Sequence, residues 1–173
     1  MIKFELNQNK AMQTILWLLN KKPGICKYNL MKVMFSADEY HINHFGRPIY
    51  GEKYYALKYG TIPSFMKDLL EIEQNVPFFH DGNKFYTNAV ANEDVFSETD
   101  LEALAHGLTE YGNLSFSEVK KKNHANPAWK KHEKELKDGS RKCIEIPYED
   151  IITEPAILAD LIEMGELTEN MVF

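Results

Sequence analysis

Residues 28–60 decide the fold, and they read YNLMKVMFSADEYHINHFGRPIYGEKYYALKYG. Residues 27–45 are apolar over most of a helical circumference, which predicts a buried helix at the centre of the core. Gly46 comes directly after this segment, at the position where a helix commonly ends with a residue in the left-handed conformation. Pro48 stiffens the exit, and Gly51 and Gly60 permit two further chain reversals. The stretch therefore predicts a central helix that runs into a glycine- and tyrosine-rich corner.

Two polar residues interrupt this helix and need partners. Asp38 and His41 lie on its apolar length, where an unpaired ion would be costly to bury. Arg47, just past the helix end, is predicted to fold back onto Asp38. Residues expected to hold the corner together are Asp38, His41, Gly46, Arg47, Pro48, Gly51 and Gly60.

The tyrosines of the corner have two interpretations. If residues 52–59 are extended, Tyr54 and Ala56 face one side and Tyr55 faces the other. The tyrosines then complete the core and bond through their hydroxyls. Alternatively, some remain on the surface as rigid, amphipathic contacts for another protein, for which the candidates are Tyr50, Tyr55 and Tyr59.

The rest of the chain predicts further helices and little β structure. Helical spacing or capping residues start segments near residues 8, 64, 98, 116 and 127, and Asp81-Gly82 predicts a hairpin within 77–88. The expected fold class is mainly α (α+β): a compact helical domain around a buried central helix with a small β-hairpin or short sheet. Residues 1–142 are expected to form the main domain. Residues 143–173 are expected to be an acidic extension, with a short strand and a helix, packed on the same domain.

Signals for catalysis and for cofactors are weak. Asp38, His41 and His44 drift around a helix, and no HExxH or paired CxxC pattern accompanies them, so no metal is predicted. The glycine spacing matches no nucleotide-binding motif, and a GxSxG turn is absent, so no cofactor and no catalytic residues are predicted. An enzyme with a polar site at Asp38, His41 and Arg47 remains the alternative.

Charge is distributed unevenly in a chain whose formal net charge is −6. Residues 117–142 carry nine Lys or Arg against four acids, whereas residues 143–173 carry eight acids and no base. These segments are either two solvated faces or regions that steer a partner of opposite charge. Nucleic acid as the main ligand is disfavoured, although an adaptor using the lysines near residues 120 and 130 stays open. No membrane span or signal peptide is predicted, and the two separated cysteines, Cys26 and Cys143, fit a reducing cytoplasm.

The central stretch resembles the signature of the Panacea domain, found in SocA-like antitoxins and phage-associated GepA-like proteins. That signature runs from an apolar LxKLLYxAD helix into a corner of the form HLxxYGxPIxGDxYxAxxxGP. Two departures are Glu52 in place of the aspartate and Gly60-Thr61 in place of Gly-Pro. The matching residues are Leu30, Lys32, Phe35, Ala37, Asp38, His41, Phe45, Gly46, Pro48, Ile49, Gly51, Tyr54, Ala56 and Gly60, and in a second block Leu114, Ser115, His124, Pro127 and Trp129.

The resemblance implies an antitoxin from a bacterial or phage toxin–antitoxin system. Such a protein neutralises a co-encoded toxin by direct binding in the cytoplasm, and in the SocA-like case it delivers the toxin to a bacterial protease. The implied partners are thus a cognate protein toxin and a protease, with no membrane. His124 and Trp129 join the three tyrosines as candidate partner-binding residues.

Overall fold

The computed structural model describes residues 1–170. Helices form most of the domain, and they are α1 (Gln8–Lys21), α2 (Lys27–Phe45), α3 (Ser64–Leu70), α4 (Glu98–Tyr111), α5 (Phe116–His124), α6 (Pro127–Lys130), α7 (Glu133–Lys137), α8 (Tyr148–Ile151) and α9 (Pro155–Asn170). The strands are short, and they are β1 (Ile25–Cys26), β2 (Tyr54–Leu57), β3 (Gly60–Pro63), β4 (Phe79–Asp81), β5 (Lys84–Tyr86) and β6 (Cys143–Ile146). The prediction of a mainly helical domain with a small β component is confirmed.

Helix α2 lies at the centre of the molecule, as its apolar girth predicts. It is buried continuously from Asn29 to Asp38 and ends at Gly46, whose φ of 72° is left-handed and whose N–H bonds the Ile42 carbonyl. Helix α4 packs closely against it. A Cβ at Gly107 of α4 would lie 2.5 Å from the Val33 carbonyl, so only glycine permits this approach.

Two three-stranded antiparallel sheets flank the helices, where the sequence predicted one small β element. In the first sheet β2 lies between β3 and β6, and in the second β5 lies between β1 and β4. Along β2 the predicted alternation is present, because Tyr54 and Ala56 are buried and Tyr55 and Leu57 are half-buried. The predicted hairpin is β4–β5, and Gly82 supplies the positive φ of 60° for its turn.

The segment after residue 142 enters the first sheet. Strand β6 pairs along its full length with β2, in register Tyr54↔Ile146, and forms an edge of that sheet. The Tyr148 hydroxyl donates to the buried Glu52 carbonyl at 2.7 Å. The last three residues of the predicted extension, 171–173, lie outside the described residues. None of the helices within residues 1–170 is long and apolar enough to cross a bilayer.

Candidate partner-binding face and the buried corner

Asp38 is fully enclosed at the corner. Its Oδ1 accepts the Ile49 backbone N–H at 2.5 Å, and its Oδ2 accepts the Tyr54 hydroxyl at 2.9 Å. Burial raises the pKa of Asp38 to about 7, although these two hydrogen bonds favour the carboxylate. The carboxyl therefore fixes the direction in which the chain leaves α2.

Arg47 does not meet Asp38, so that prediction is wrong. Its Nη2 lies 3.1 Å from Oδ1 of Asp100 and donates to the Ser97 hydroxyl at 3.0 Å. The physical reason is that Asp38 is enclosed and already accepts two hydrogen bonds, whereas the half-exposed Arg47 reaches the start of α4. The guanidinium therefore joins the corner to α4.

Asp100 is the centre of this network, and its carboxylate is completely buried. Its Oδ2 lies 2.6 Å from the Lys10 ammonium of α1 and accepts the Ser97 backbone N–H at 2.9 Å. Burial alone would raise the pKa of Asp100, but Lys10, the Ser97 N–H and Arg47 hold it below the usual range. One carboxylate thus ties α1, the corner and α4 together.

His41 completes the network as a neutral ring. Its Nδ1 lies 2.7 Å from the Arg47 carbonyl and must carry the proton, because a carbonyl only accepts. Its Nε2 lies 3.0 Å from the Thr99 hydroxyl, from which the neutral ring accepts, and 3.2 Å from Oδ1 of Asp100, whose charge acts against the lowering of the pKa of His41. Burial lowers the pKa of His41, which favours this neutral form.

Two glycines of the corner, Gly51 and Gly60, are required because other atoms of the chain approach their backbones closely. Gly51 has a φ of 72°, and a Cβ there would lie 2.2 Å from the Glu5 carbonyl oxygen. Gly60 has a φ of 117°, and a Cβ there would lie 2.2 Å from Oδ1 of Asn123. The same Asn123 oxygen accepts the Thr61 N–H at 2.7 Å, so α5 clamps the start of β3.

A buried lysine lies beneath this clamp. Lys32 donates to the Thr61 carbonyl, and its ammonium lies 4.8 Å from the centroid of the Tyr28 ring. It has no carboxylate partner among the described side chains. Burial lowers the pKa of Lys32 to about 7.

A surface next to the clamp carries aromatic and basic side chains, and we call it the aromatic-basic face. Tyr59 is 48% exposed and Phe116 is 55% exposed, with 6.0 Å between their ring centroids. Lys58 and Lys120 place their ammoniums 5.5 and 5.4 Å from the Tyr59 centroid. The face consists of Tyr28, Lys58, Tyr59, Phe116, Lys120, His124 and Lys137, and the buried Trp129 lies directly beneath it.

A cavity of about 400 Å³ opens within this face. Trp129 forms its floor, and the His124 ring is stacked on the indole with 3.7 Å between centroids and 6° between planes. The indole N–H donates to the Leu57 carbonyl at 2.8 Å, which fixes the floor to the end of β2. Lys58, Lys120 and Lys137 line the cavity.

The structure brings together only part of the predicted partner-binding set. Tyr59 and His124 lie on the aromatic-basic face, and Tyr55 is half-buried opposite Glu145 of β6. Tyr50 and Trp129 are both 1% exposed, so the expectation that they contact a partner directly is corrected. Tyr50 is buried because its hydroxyl donates to the Met34 carbonyl within the core, at 2.5 Å.

Comparison with known families bears on this arrangement. A family model described as antitoxin SocA-like, Panacea domain, matches residues 30–130. The chain belongs to this family. No curated protein and no solved structure matches it.

The matched part of this Panacea-domain chain contains α2 from Leu30 onward, the corner, α4 and α5. It contains Asp38, His41, Arg47 and Asp100, but Lys10 of α1 lies outside it. Most of the aromatic-basic face is likewise inside the matched range, but Tyr28 precedes the range and Lys137 follows it. Both regions thus recruit residues from flanking segments.

Sequence reasoning missed Asp100, Asn123, Lys58 and Phe116. Only Asp100 had a clear signal, because Ser97 followed three residues later by Asp100 is a capping-box pattern. No group of three His, Cys, Asp or Glu side chains suited to a metal ion occurs in the described part of the chain.

Proposed function

We propose that this chain is an antitoxin that neutralises a co-encoded toxin by direct protein–protein binding. The observation that carries the proposal is membership of the SocA-like antitoxin family over residues 30–130. The setting implied by the resemblance is the cytoplasm of a bacterium, with the gene carried by the bacterium or a phage.

The chemistry of the surface supports this proposal. Exposed Tyr59 and Phe116 are side chains of the kind that dominate the energy of protein interfaces, and lysines surround them. We therefore assign the toxin contact to the aromatic-basic face.

The burial of the corner argues against the alternative of an enzyme at Asp38, His41 and Arg47. Asp38 is 2% exposed and His41 is 0% exposed. Their polar atoms are occupied by Ile49, Tyr54 and the Arg47 carbonyl. A substrate could not reach either group without opening the core, so we assign the corner a structural role and propose no catalytic activity.

A co-expression growth assay tests the proposal. The adjacent reading frame is induced alone and together with this chain, and we expect growth arrest in the first case and recovery in the second. Tyr59→Ala combined with Phe116→Ala should abolish recovery, whereas Phe79→Ala, an exposed aromatic on the second sheet, should not. An adjacent product that is harmless, or one that this chain does not neutralise, would contradict the proposal.

The same assay separates two modes of neutralisation. If the antitoxin only occludes the toxin, the amount of toxin on an immunoblot stays constant during recovery. If it delivers the toxin to a protease, the amount falls, and the fall disappears in a strain that lacks the protease.

A further inference from the structure

Two lysines of the aromatic-basic face, Lys58 and Lys120, are unpaired among the described residues and lie at the same cavity, whereas its third lysine, Lys137, is paired with Glu133. Lys10, Lys27 and Lys122 each lie within 4 Å of a carboxylate of this chain. Lys58 and Lys120 form no ion pair with a described side chain, although acids outnumber bases 26 to 20 in the sequence. Both ammoniums instead lie over the same tyrosine ring. The acid whose charge reaches His124 is Glu133, and it is already shared by Lys130 and Lys137. Lys58 and Lys120 therefore remain available to attract an external anion.

A second cavity of the protein contains a lysine that is paired with an acid of the same chain. It has a volume of about 340 Å³ and lies between α2, α4 and α5. Lys122 there is paired with Glu110, and Glu39 accepts the Asn126 amide at 2.7 Å. The lysine of this cavity is thus paired within the chain, unlike Lys58 and Lys120.

The pKa of His124, on the floor of the cavity in the aromatic-basic face, depends on nearby charges. Burial, and next the positive charge of Lys120, lower the pKa of His124, so the ring is neutral near pH 7. An anion placed beside Lys120 would act in the opposite direction. His124 is therefore a built-in reporter for an anion in this cavity.

We propose that the cavity binds a carboxylate side chain from an acidic segment of the toxin, held between Lys58 and Lys120 above the Trp129–His124 floor. Apolar residues of the same segment pack on Tyr59 and Phe116 beside the cavity. This inference rests on the proposed function, because it names the chemistry of the partner at the proposed contact.

The shape and charge of the face favour an acidic protein segment over nucleic acid. A nucleic-acid strand is held by many phosphate contacts along its backbone, whereas this site offers three lysines around one cavity. One of them, Lys137, is also shared with Glu133 at 2.6 Å. Beside the cavity the surface continues with the exposed aromatic rings of Tyr59 and Phe116, which do not attract phosphates as lysines do. A short segment that alternates acidic and apolar residues fits both features.

Binding of a defined peptide tests the proposal without the toxin. The probe is a short peptide in which glutamate alternates with leucine, and its control replaces each glutamate by glutamine. We expect the glutamate peptide to shift the NMR signals of the Trp129 indole and the His124 ring and to raise the measured pKa of His124. Trp17, bonded to Glu93 on another surface, serves as the internal control and should not move.

Variants locate the site. Lys58→Gln with Lys120→Gln should weaken binding by about tenfold or more, since each removes one charge pair. Lys121→Gln with Lys134→Gln is the matched control, because it also removes two lysine charges at exposed positions, on α5 and α7. Raising the salt from about 0.05 M to about 0.5 M should also weaken binding, because it shortens the screening length. Thermal melting of each variant checks that the fold is retained.

Several results would overturn the proposal. They are equal binding of the two peptides, equal loss in Lys121→Gln with Lys134→Gln, no binding at low salt, concentration-dependent self-association that blocks the site, or tighter binding of a uridine oligonucleotide. In the growth assay, recovery that survives Lys58→Glu with Lys120→Glu would refute the inference while the proposed function stands. Failure of the wild-type chain to rescue growth would instead refute the function and leave the peptide measurement to decide the site.

Discussion

The buried corner and the aromatic-basic face differ in whether their charged side chains are paired within the chain. At the corner Asp100 is shared by Lys10, Arg47 and the Ser97 N–H, so its charge is satisfied inside the chain. At the face Lys58 and Lys120 lie over one exposed tyrosine with no acid beside them. The comparison teaches that a perturbed polar cluster here holds the fold, whereas the lysines that pair with no described acid lie on the surface that we propose as the partner contact.

The largest effect is expected from removing the centre of the corner. Asp100→Ala leaves Lys10 and Arg47 without their carboxylate and removes half of the capping box at α4. We expect the free energy of unfolding to fall by about 3 kcal/mol, at the low end for a buried pair because Arg47 is half-exposed. Urea denaturation measures the change. Glu98→Gln, in the exposed first turn of the same helix, should change it by less than about 1 kcal/mol, and equal losses would remove the special role of Asp100.

A smaller loss is expected at the junction between corner and face. Gly60→Ala introduces a Cβ 2.2 Å from the Asn123 oxygen at a φ of 117°, so both the backbone and the clamp must shift. The expected cost is about 2 kcal/mol, from strain and overpacking together.

The matched substitution for this junction is Gly139→Ala. Its φ of 76° is also left-handed, but no atom would lie within 4 Å of the new Cβ. It should cost about 1 kcal/mol for the backbone conformation alone. If the two alanine variants have the same melting temperature, the clamp contributes nothing to the requirement for glycine at position 60.

Much of the fold could be predicted from the sequence because its signals are local. The apolar girth of α2, the left-handed Gly46 and the alternation along β2 each depend on neighbouring residues. The partners of the buried ions could not be predicted in this way. Asp38 is bonded by Ile49 and Tyr54, and Arg47 by Asp100, which is 53 positions away in the chain. Long-range pairing of this kind is set by packing, which one sequence without coordinates does not specify.

The aromatic-basic face shows the same limit. Tyr59 and His124 could be selected as candidates, but their proximity depends on the stacking of His124 on Trp129 and on the bond from Trp129 to the Leu57 carbonyl. Tyr50 has the same residue type and lies in the same motif, yet it is buried. Residue type and motif therefore found the neighbourhood of the face, and burial decided which tyrosine is available.

The buried Lys32 predicts a pH dependence of the stability of the fold. Its pKa of about 7 in the folded chain lies below the ordinary value, so between about pH 7 and pH 10 the unfolded chain binds more protons than the folded one. Stability should therefore rise with pH in this window, by at most about 1.4 kcal/mol per unit. Burial raises the pKa of Asp38 and of Glu39 to about 7, which gives the opposite slope below neutrality.

Urea denaturation at several pH values between 7 and 9.5 measures this slope. Lys32→Met should flatten it, at a cost of about 1 kcal/mol for the unpaired Thr61 carbonyl. Lys121→Met, exposed on α5, should leave the slope as it is. A slope that persists in Lys32→Met would show that Lys32 keeps its proton in the folded state.

The smallest effect on stability is expected at the aromatic-basic face. Whether the free energy of unfolding rises or falls there tests whether its lysines are paired within the chain. Lys120→Gln removes a cation that shares the Tyr59 ring with Lys58 and has no acid partner, so the free energy of unfolding should stay unchanged or rise slightly, within about 0.5 kcal/mol. Lys122→Gln, on the same helix, loses its ion pair with Glu110 and should lower stability by a similar amount. A residue whose removal leaves the free protein as stable or more stable, yet prevents neutralisation of the toxin, contributes through a partner and not through the fold. If Lys120→Gln destabilises the chain as much as Lys122→Gln does, Lys120 is satisfied internally and the contrast between the two regions fails.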